Sequence, residues 1–351
     1  MFQTMTDKIV SAEQMQAVYE EAKTPYKYGV IVRGDEGNAV DCPSVFRHGD
    51  AWFMVYVCMN KVGYETHLAT SKDLLKWEPL GKILKFRDAG WDKWQAGGTI
   101  QLQNHEWGGP ATLQPFNGRY WMTYIGGEHQ GYETDPLSIG LAWTKSPDKA
   151  EPWTRLEENP RLAPWQPDAR AFEKKTLYRS NVIWDRAETL GHPFVMFYNG
   201  KQEGKQGIER IGMAVSEDMV NWTRYGKEPV IDDVTGVSVT GISGDPQIVR
   251  MNGAPNGDSS PLGTPLWVMF YFGHRWKPKA FDTFACSHDL VNWTKWDGPH
   301  LIEPSAEGFD STFAHKPWLI KHDGVVYHFY CSVNKSERTI ALATSKDFSK
   351  Q

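Results

Sequence analysis

Apolar and polar residues alternate along this chain in short runs that pair around turns. The segments are PSVFRHGDAWFMVYV from Pro43, PATLQPFNGRYWMTYI from Pro110, NVIWDRAETLGHPFVMFYN from Asn181, PQIVRMNGAPNGDSSPLGTPLWVMFYF from Pro246 and PWLIKHDGVVYHFYC from Pro317. Period-two alternation marks strands, because successive side chains point to opposite faces. The turn residues HGD, NG, LG and DG supply positive φ or Asx turns, so each segment predicts a β-hairpin. No segment of helical period separates the hairpins, which argues against a parallel sheet with crossover helices.

Downstream of the hairpins a second pattern recurs: an apolar strand, then Ser, an acidic residue and Trp. It reads HLATSKDLLKW (67–77), RIGMAVSEDMVNW (210–222) and TFACSHDLVNW (283–293), with a looser copy, IGLAWTKSPDKAEPW, ending at Trp153 and a truncated one, IALATSKDF, near the chain end. Trp77, Trp153, Trp222 and Trp293 lie roughly 70 residues apart, the period of a four-stranded propeller blade with long loops. The expected fold is all-β, a five-bladed β-propeller with a short N-terminal helix. Residues 1–25 read as the N-terminal helical segment and 26–351 as a single propeller domain.

The last copy leaves no room for a fourth strand, and an open edge would expose unpaired backbone groups. The stretch YKYGVIVR, Tyr26 to Arg33, is the one β-like run left over and is expected to supply that strand. Ahead of it, Ser11 and Gln14 fit a capping box opening the run AEQMQAVYEEAK. This helix is expected to lie over the surface as a local lid in preference to serving as a dimerisation arm.

Composition narrows the function. Of the 351 residues 40% are hydrophobic and 23% charged, an ordinary globular balance, but 13% are aromatic with 16 Trp, and Trp serves both blade packing and sugar stacking. A net charge of −5 gives no basic field for nucleic acid. Cys42, Cys58, Cys286 and Cys331 are widely spaced without a CxxC or Cys/His pattern, and read as buried thiols, neither disulfides nor a zinc site. No run approaches the ~18 apolar residues of a membrane span, and no signal peptide is visible. The sequence as written reads as cytoplasmic, or as periplasmic or secreted if a signal has been removed.

In a propeller all inner strands start at one end of the central channel, and the loops between second and third strands return there. The starts read VDCPSV (40–45), GGPATL (108–113), YRSNVI (178–183), SGDPQI (243–248) and AHKPWL (314–319), which gathers Asp41, Arg179, Ser180, Asp245, His315 and Lys316 at one mouth. Strand formation does not require these polar residues, although Asp before Pro can also cap a turn. The facing loops GYET, GGEHQGYETD, NGKQEGKQGIER, GHRWKPKAFD and SVNKSER offer Glu65, Glu128, Glu133, Glu203, Glu209 and Asp282 as a third carboxylate. Glu209 is preferred because it opens a regular strand. Paired carboxylates suit acetal cleavage, in which one protonates the leaving oxygen and the other activates water or attacks the anomeric carbon. Trp91, Trp94, Trp107, Trp165 and Trp276 lie in loops outside the repeat and are candidate stacking platforms.

Through its blade repeat and strand-start motifs, from about Tyr26 to Asp347, the chain resembles the five-bladed propeller glycosidases: glycoside hydrolase families 32, 43, 68, 117 and 130 and their unassigned relatives. The resemblance implies Asp41 as base or nucleophile, Asp245 as general acid, and a cation or water beside His315, with no cofactor required. The third strand start departs from the pattern, with YRSN where an Asp is expected.

Three functions follow as expectations. The first is an inverting hydrolase acting on an oligosaccharide or glycoside, with Asp41 as base and Asp245 or Glu209 as acid, because strands one and four are not neighbours in a five-membered ring. The second is a phosphorylase holding phosphate with Arg179, His274, Arg275 and Lys316, since bidentate Arg matches that anion. The third is a non-catalytic sugar-binding propeller or scaffold. Substrate contacts are expected from Arg179, His274, Arg275, His315, Lys316, Trp107 and Trp276, and no metal ligands are assigned.

Overall fold

The computed structural model describes residues 9–204, 207–233, 241–252, 262, 264–274 and 279–349. Helix α1 (Ala12–Ala22) has the expected capping box: Ser11 Oγ accepts the N–H of Gln14, and Gln14 Oε1 accepts that of Ser11. Apart from α1 and three-residue 3₁₀ turns, the regular structure is strand.

The strands form consecutive antiparallel groups. The first holds β2 (Ala39–His48), β3 (Ala51–Met59), β4 (Tyr64–Ser71) and β5 (Glu78–Leu84). The second holds β6 (Gln95–Ile100), β7 (Tyr120–Gly127), β8 (Ser138–Thr144) and β9 (Thr154–Arg155). Next come β10 (Thr176–Trp184), β11 (Phe194–Lys201), β12 (Glu209–Ser216) and β13 (Thr223–Tyr225), then β14 (Ile242–Met251), β15 (Leu266–His274), β16 (Phe281–Ser287) and β17 (Thr294–Lys295). The last group is β18 (Phe313–His322), β19 (Val325–Val333) and β20 (Arg338–Thr344), completed by β1 (Tyr26–Val32), which runs antiparallel to β20 from Tyr26 opposite Thr344 to Val32 opposite Ile340. Lys27 latches this strand: its ammonium donates to Asp310 Oδ2 at 2.6 Å and Ser305 Oγ at 2.8 Å, while the Tyr330 hydroxyl donates to the same Asp310 oxygen.

The repeated Ser, acid and Trp pattern is a turn with a defined job. Asp73 accepts the N–H groups of Leu75 and Lys76, Leu74 takes a positive φ, and the Trp77 indole donates to the Leu74 carbonyl. Asp218, Met219 and Trp222 repeat the arrangement, as do Asp289, Leu290 and Trp293.

Middle strands such as β3 and β11 are buried on both faces because each group packs on the next. One apolar cluster joins the first and second groups and also brings Trp318, Phe329 and Leu342 of the last group onto Phe46 and Leu68 of the first. Others join second to third, third to fourth, and fourth to last. Helix α1 lies against the flank of the strand groups. Its Met15, Val18 and Ala22 pack into the seam between the fourth and last groups, against Met251, Leu266 and Val326.

Buried amides stitch the inner strands together around the axis. Gln103 donates to the Val45 carbonyl of β2, Gln101 bonds Ser180 and Val182 of β10, Asn181 accepts the N–H of Ile248, Gln247 bonds Leu319 of β18 in both directions, and the Trp318 indole returns to Val45. Residues 101–119 then run across the far end of the inner strands. Their backbone bonds reach Arg47, Val182 and Arg250, and Gly108 lies against Lys321.

Two expectations need correction. The inner strand of the second group is QAGGTI, not the segment starting at GGPATL, which belongs to the far-end crossing. Glycines weaken strand propensity, so sequence pattern hides β6; here packing demands them, since a Cβ on Gly98 would lie 2.3 Å from Met122 Sδ and one on Gly97 2.9 Å from Ile125 Cγ1. Of the four free cysteines, Cys286 and Cys331 are buried, but Cys42 and Cys58 are only partly so.

Candidate active site

Three inner strands carry the same irregularity at their starts. Cys42, Asp245 and Lys316 each precede a proline, each has a positive φ (52°, 54° and 64°), and each lies at a register shift in its pairing with the neighbouring strand. A bulge re-aims a side chain, and the proline has no N–H to lose from the ladder. Such backbone costs a non-glycine residue about 1–3 kcal/mol and recurs at functional sites.

Two of these residues, Asp245 and Lys316, line a cavity of ≈ 230 Å³ at the strand starts, together with Glu133, Glu209, His315 and Arg338. Tyr132, Tyr178, Asn199, Phe272, His274 and Phe313 also line it, with Ile242 and Ala280. Lys316, almost fully buried, bridges two carboxylates: its Nζ lies 2.9 Å from Asp41 Oδ2 and 3.3 Å from Glu133 Oε1. Arg338 donates to the same Asp41 oxygen at 2.5 Å and lies over the Tyr132 ring. The other Asp41 oxygen accepts the N–H of Cys42 at 2.9 Å. Burial alone would raise the Asp41 pKa, but the Lys316 and Arg338 charges outweigh it and hold the carboxyl well below its usual range.

Glu209 has the opposite environment. It opens β12 in a buried position with one hydrogen bond, from Asn199 Nδ2 at 3.1 Å. Burial, reinforced by the charges of Glu133 and Asp245 and opposed by Lys201, pushes its pKa up to about 8. Asp245 is also raised, by burial first, though Lys316 and Arg179 pull it back. Its Oδ2 lies 3.7 Å from Arg179 Nη1 and accepts from the Cys42 thiol at 3.6 Å. His315 places Nδ1 3.2 Å from the Cys331 carbonyl. A carbonyl only accepts, so Nδ1 carries the hydrogen; burial and the Arg338 and Lys316 charges keep the ring neutral, with Nε2 as an acceptor.

The sequence-selected residues therefore divide. Glu209, Asp245, His274, His315 and Lys316 line the cavity. Asp41 is not in the lining but one layer behind it, held by Lys316 and Arg338. Arg179 is likewise behind, donating to Thr99 Oγ1 and the Pro43 carbonyl. Trp107, expected to contact substrate, is not in the lining: it belongs to the far-end crossing, where its indole donates to Glu21 and packs against Phe270. Arg275 and Trp276 lie outside the described residues. Among the carboxylates left unranked, Glu133 lines the cavity, Glu65 is tied to Lys82, Glu128 and Glu203 are exposed, and Asp282 is buried against His328. Arg338 and Tyr132 were quoted in the facing loops without a role; nothing in a polar loop distinguishes them beforehand. Among the described residues no three His, Cys, Asp or Glu side chains are grouped to hold a metal ion.

No family model matches the chain. Solved structures do. One described as "Glycoside hydrolase" and one described as a complex of BT0996 with RGII are each 47% identical to it, with a TM-score of 0.87, covering 97% of this chain and 96% of theirs. A thermostable family-43 glycoside hydrolase shares the fold at 15% identity and a TM-score of 0.61, over 90% of this chain and 91% of that one. Among curated proteins, a 1,2-beta-oligomannan phosphorylase of Thermoanaerobacter sp. (strain X514) is 28% identical over 157 residues, 44% of this chain; the chain spans about half the length of that relative, 47%. The fold neighbours are propeller glycosidases. At 47% identity over nearly its whole length, the protein belongs to the glycoside hydrolases and is a glycosidase.

Proposed function

We propose that this protein hydrolyses a glycosidic bond in the cavity at the channel mouth of a five-bladed β-propeller, formed by residues 26–351 as one domain preceded by a helical segment, residues 1–25, whose helix α1 packs outside it. Glu209 is the general acid and Glu133 the partner carboxylate. The observation that carries the assignment is the contrast between them in one cavity: Glu209 is buried, with no cation in hydrogen-bond reach among the described residues, and stays protonated near neutral pH, whereas Glu133 is paired with Lys316. Two carboxylates with divergent environments are the pattern of an acid and its partner. Asp41 keeps Lys316 and Arg338 in place and acts as a positioning charge. Asp245, already engaged by Arg179 and Cys42, binds substrate hydroxyls, and His315 Nε2 accepts from a hydroxyl or a bound water.

Action at a chain end, with one sugar ring seated in the cavity of ≈ 230 Å³, is the form of the reaction to assay first. The relative described in complex with RGII makes RGII oligosaccharides the first substrates to assay. Lys316 and Arg338 are both engaged by carboxylates, which favours water over phosphate as acceptor. The expectation of inversion rested on Asp41 and Asp245 approaching from non-neighbouring strands. With Glu133 and Glu209 as the pair, the first-formed anomer decides: retention makes Glu133 the nucleophile, inversion makes it the base.

The test is sugar release from RGII oligosaccharides and aryl glycosides, with and without inorganic phosphate. Release independent of phosphate and lost in Glu209→Gln supports the proposal; strict phosphate dependence would replace it with phosphorolysis.

A further inference from the structure

The Glu209 carboxyl makes one hydrogen bond among the described residues, and strand register supplies its partner. In the ladder between β11 and β12, Asn199 lies opposite Ile211 and Glu209 opposite Lys201, so Asn199 and Glu209 are diagonal neighbours on one face. Asn199 is 1% exposed, lines the cavity beside Glu209, and donates from Nδ2 to Glu209 Oε2 at 3.1 Å. The carbonyl oxygen of a carboxylic acid accepts better than its hydroxyl oxygen, so this bond makes Oε2 the carbonyl and leaves the acid's hydrogen on Oε1. The amide is held where it stands by the next strand group. A Cβ on Gly244 of β14 would lie 2.8 Å from Asn199 Nδ2 and 3.1 Å from its Cγ, so any side chain there would push the amide away. Asn199 Oδ1 is buried and has no hydrogen-bond partner among the described residues. A buried acceptor left unmet is costly, and an apolar residue of the same shape would avoid that cost, so packing alone does not account for an amide at this position.

We propose that Asn199 is a positioning residue for the reaction: it fixes the Glu209 proton on Oε1 and stabilises the carboxylate that Glu209 becomes once the proton has left. This role rests on the reading of Glu209 as the general acid. In that step the proton on Oε1 passes to the glycosidic oxygen, the bond from that oxygen to the anomeric carbon breaks with its electron pair staying on the oxygen, and Glu209 is left ionised. The bond from Asn199 thereby turns from a neutral one into a charge-assisted one, roughly twice as strong. An interaction that strengthens toward the transition state raises kcat, whereas one of constant strength does not. The other groups that face Glu209 are Lys201 of β11, Tyr178 of β10, Asp245 of β14 and Glu133 of the loop after β7. Lys201 is turned to Asp135 and the Tyr178 hydroxyl, which leaves Asn199 as the donor in contact with the acid.

Two variants of Asn199 test this by kcat and by pH profile together. Asn199→Leu keeps the approximate shape and removes the amide; Asn199→Asp keeps the shape and puts an acceptor, which shares the Glu209 proton, in place of the donor. With the full chain and the aryl glycoside that the wild type turns over, both are expected to lower kcat about 10- to 100-fold, the scale of a hydrogen bond to a charged group. The bond also favours the ionised carboxyl and so pulls the Glu209 pKa down against burial and the Glu133 and Asp245 charges. Its loss is expected to carry the alkaline fall of kcat/KM to higher pH than in the wild type, and further in Asn199→Asp, because a second carboxylate disfavours ionisation of the first. A purely structural role predicts lower activity or stability with the fall unmoved. Folding is checked by thermal unfolding, and Asn199→Asp, nearly isosteric, decides if Asn199→Leu does not fold. Wild-type kcat in a folded variant, or a lowered kcat with the alkaline fall where the wild type has it, overturns the role of Asn199. Full activity in Glu209→Gln would instead overturn the reading of the site, so the two failures are distinct.

Discussion

Glu209 and Asp41 show how burial acts in opposite directions depending on company. For Glu209 burial prevails, and in the role proposed for it the acid form is the working one. Since a general acid must enter the reaction protonated, kcat/KM is expected to fall as pH rises through about 8, and Glu209→Gln to lower turnover by at least ~10²-fold with the fold intact. A flat profile between pH 6 and 9 would count against the assignment. For Asp41 two cations prevail. Asp41→Asn leaves Arg338 without the carboxylate it pairs with and Lys316 with Glu133 alone, and a broken buried pair costs about 3–5 kcal/mol, measurable by urea unfolding. Its folded pKa lies below the unfolded one, so this contribution is present above about pH 4 and is lost as pH falls through the folded value. Sequence brought Glu209, Asp245, His315 and Lys316 to the cavity because they sit at strand starts, where topology alone decides position. Asp41 lies outside the lining, and nothing in VDCPSV reveals that Lys316 and Arg338 cover it. Sequence left Glu133 unranked because a loop carboxylate acquires meaning only through the cation that meets it.

At the scale of elements, hairpins were legible wherever alternation was strong and turn residues were present. Strand β6 was not, as its two glycines answer to crowding by Met122 and Ile125 that only the folded state contains. The strand Tyr26–Val32 could be found by elimination, because the last group lacked an edge. Removing residues 1–33 strips β1 and α1 together and is expected to give aggregated protein, whereas a chain starting at residue 9 is expected to stay soluble and monodisperse by size-exclusion chromatography. The amide stitches were visible only as oddities, polar letters in apolar strands. Gln247→Leu would leave the Leu319 N–H and carbonyl buried and unpaired, an expected loss of about 1–3 kcal/mol per group by denaturant titration.

For the whole molecule, the repeat of roughly 70 residues was legible because the first, third and fourth groups end on the same turn, whereas the proposed catalytic pair comes from two different groups and is written nowhere as a motif. The far-end crossing by residues 101–119 has a consequence for traffic. With backbone bonds to Arg47, Val182 and Arg250, it lies across the inner strands opposite the cavity and is expected to shut the channel there. Sugar then enters and leaves by one doorway, so a polymer cannot be threaded through, and every cut has to be followed by departure before the next arrival. A time course on a defined oligosaccharide should therefore show each shortened length appearing in turn in free solution, and the released sugar should compete with substrate for the vacated seat.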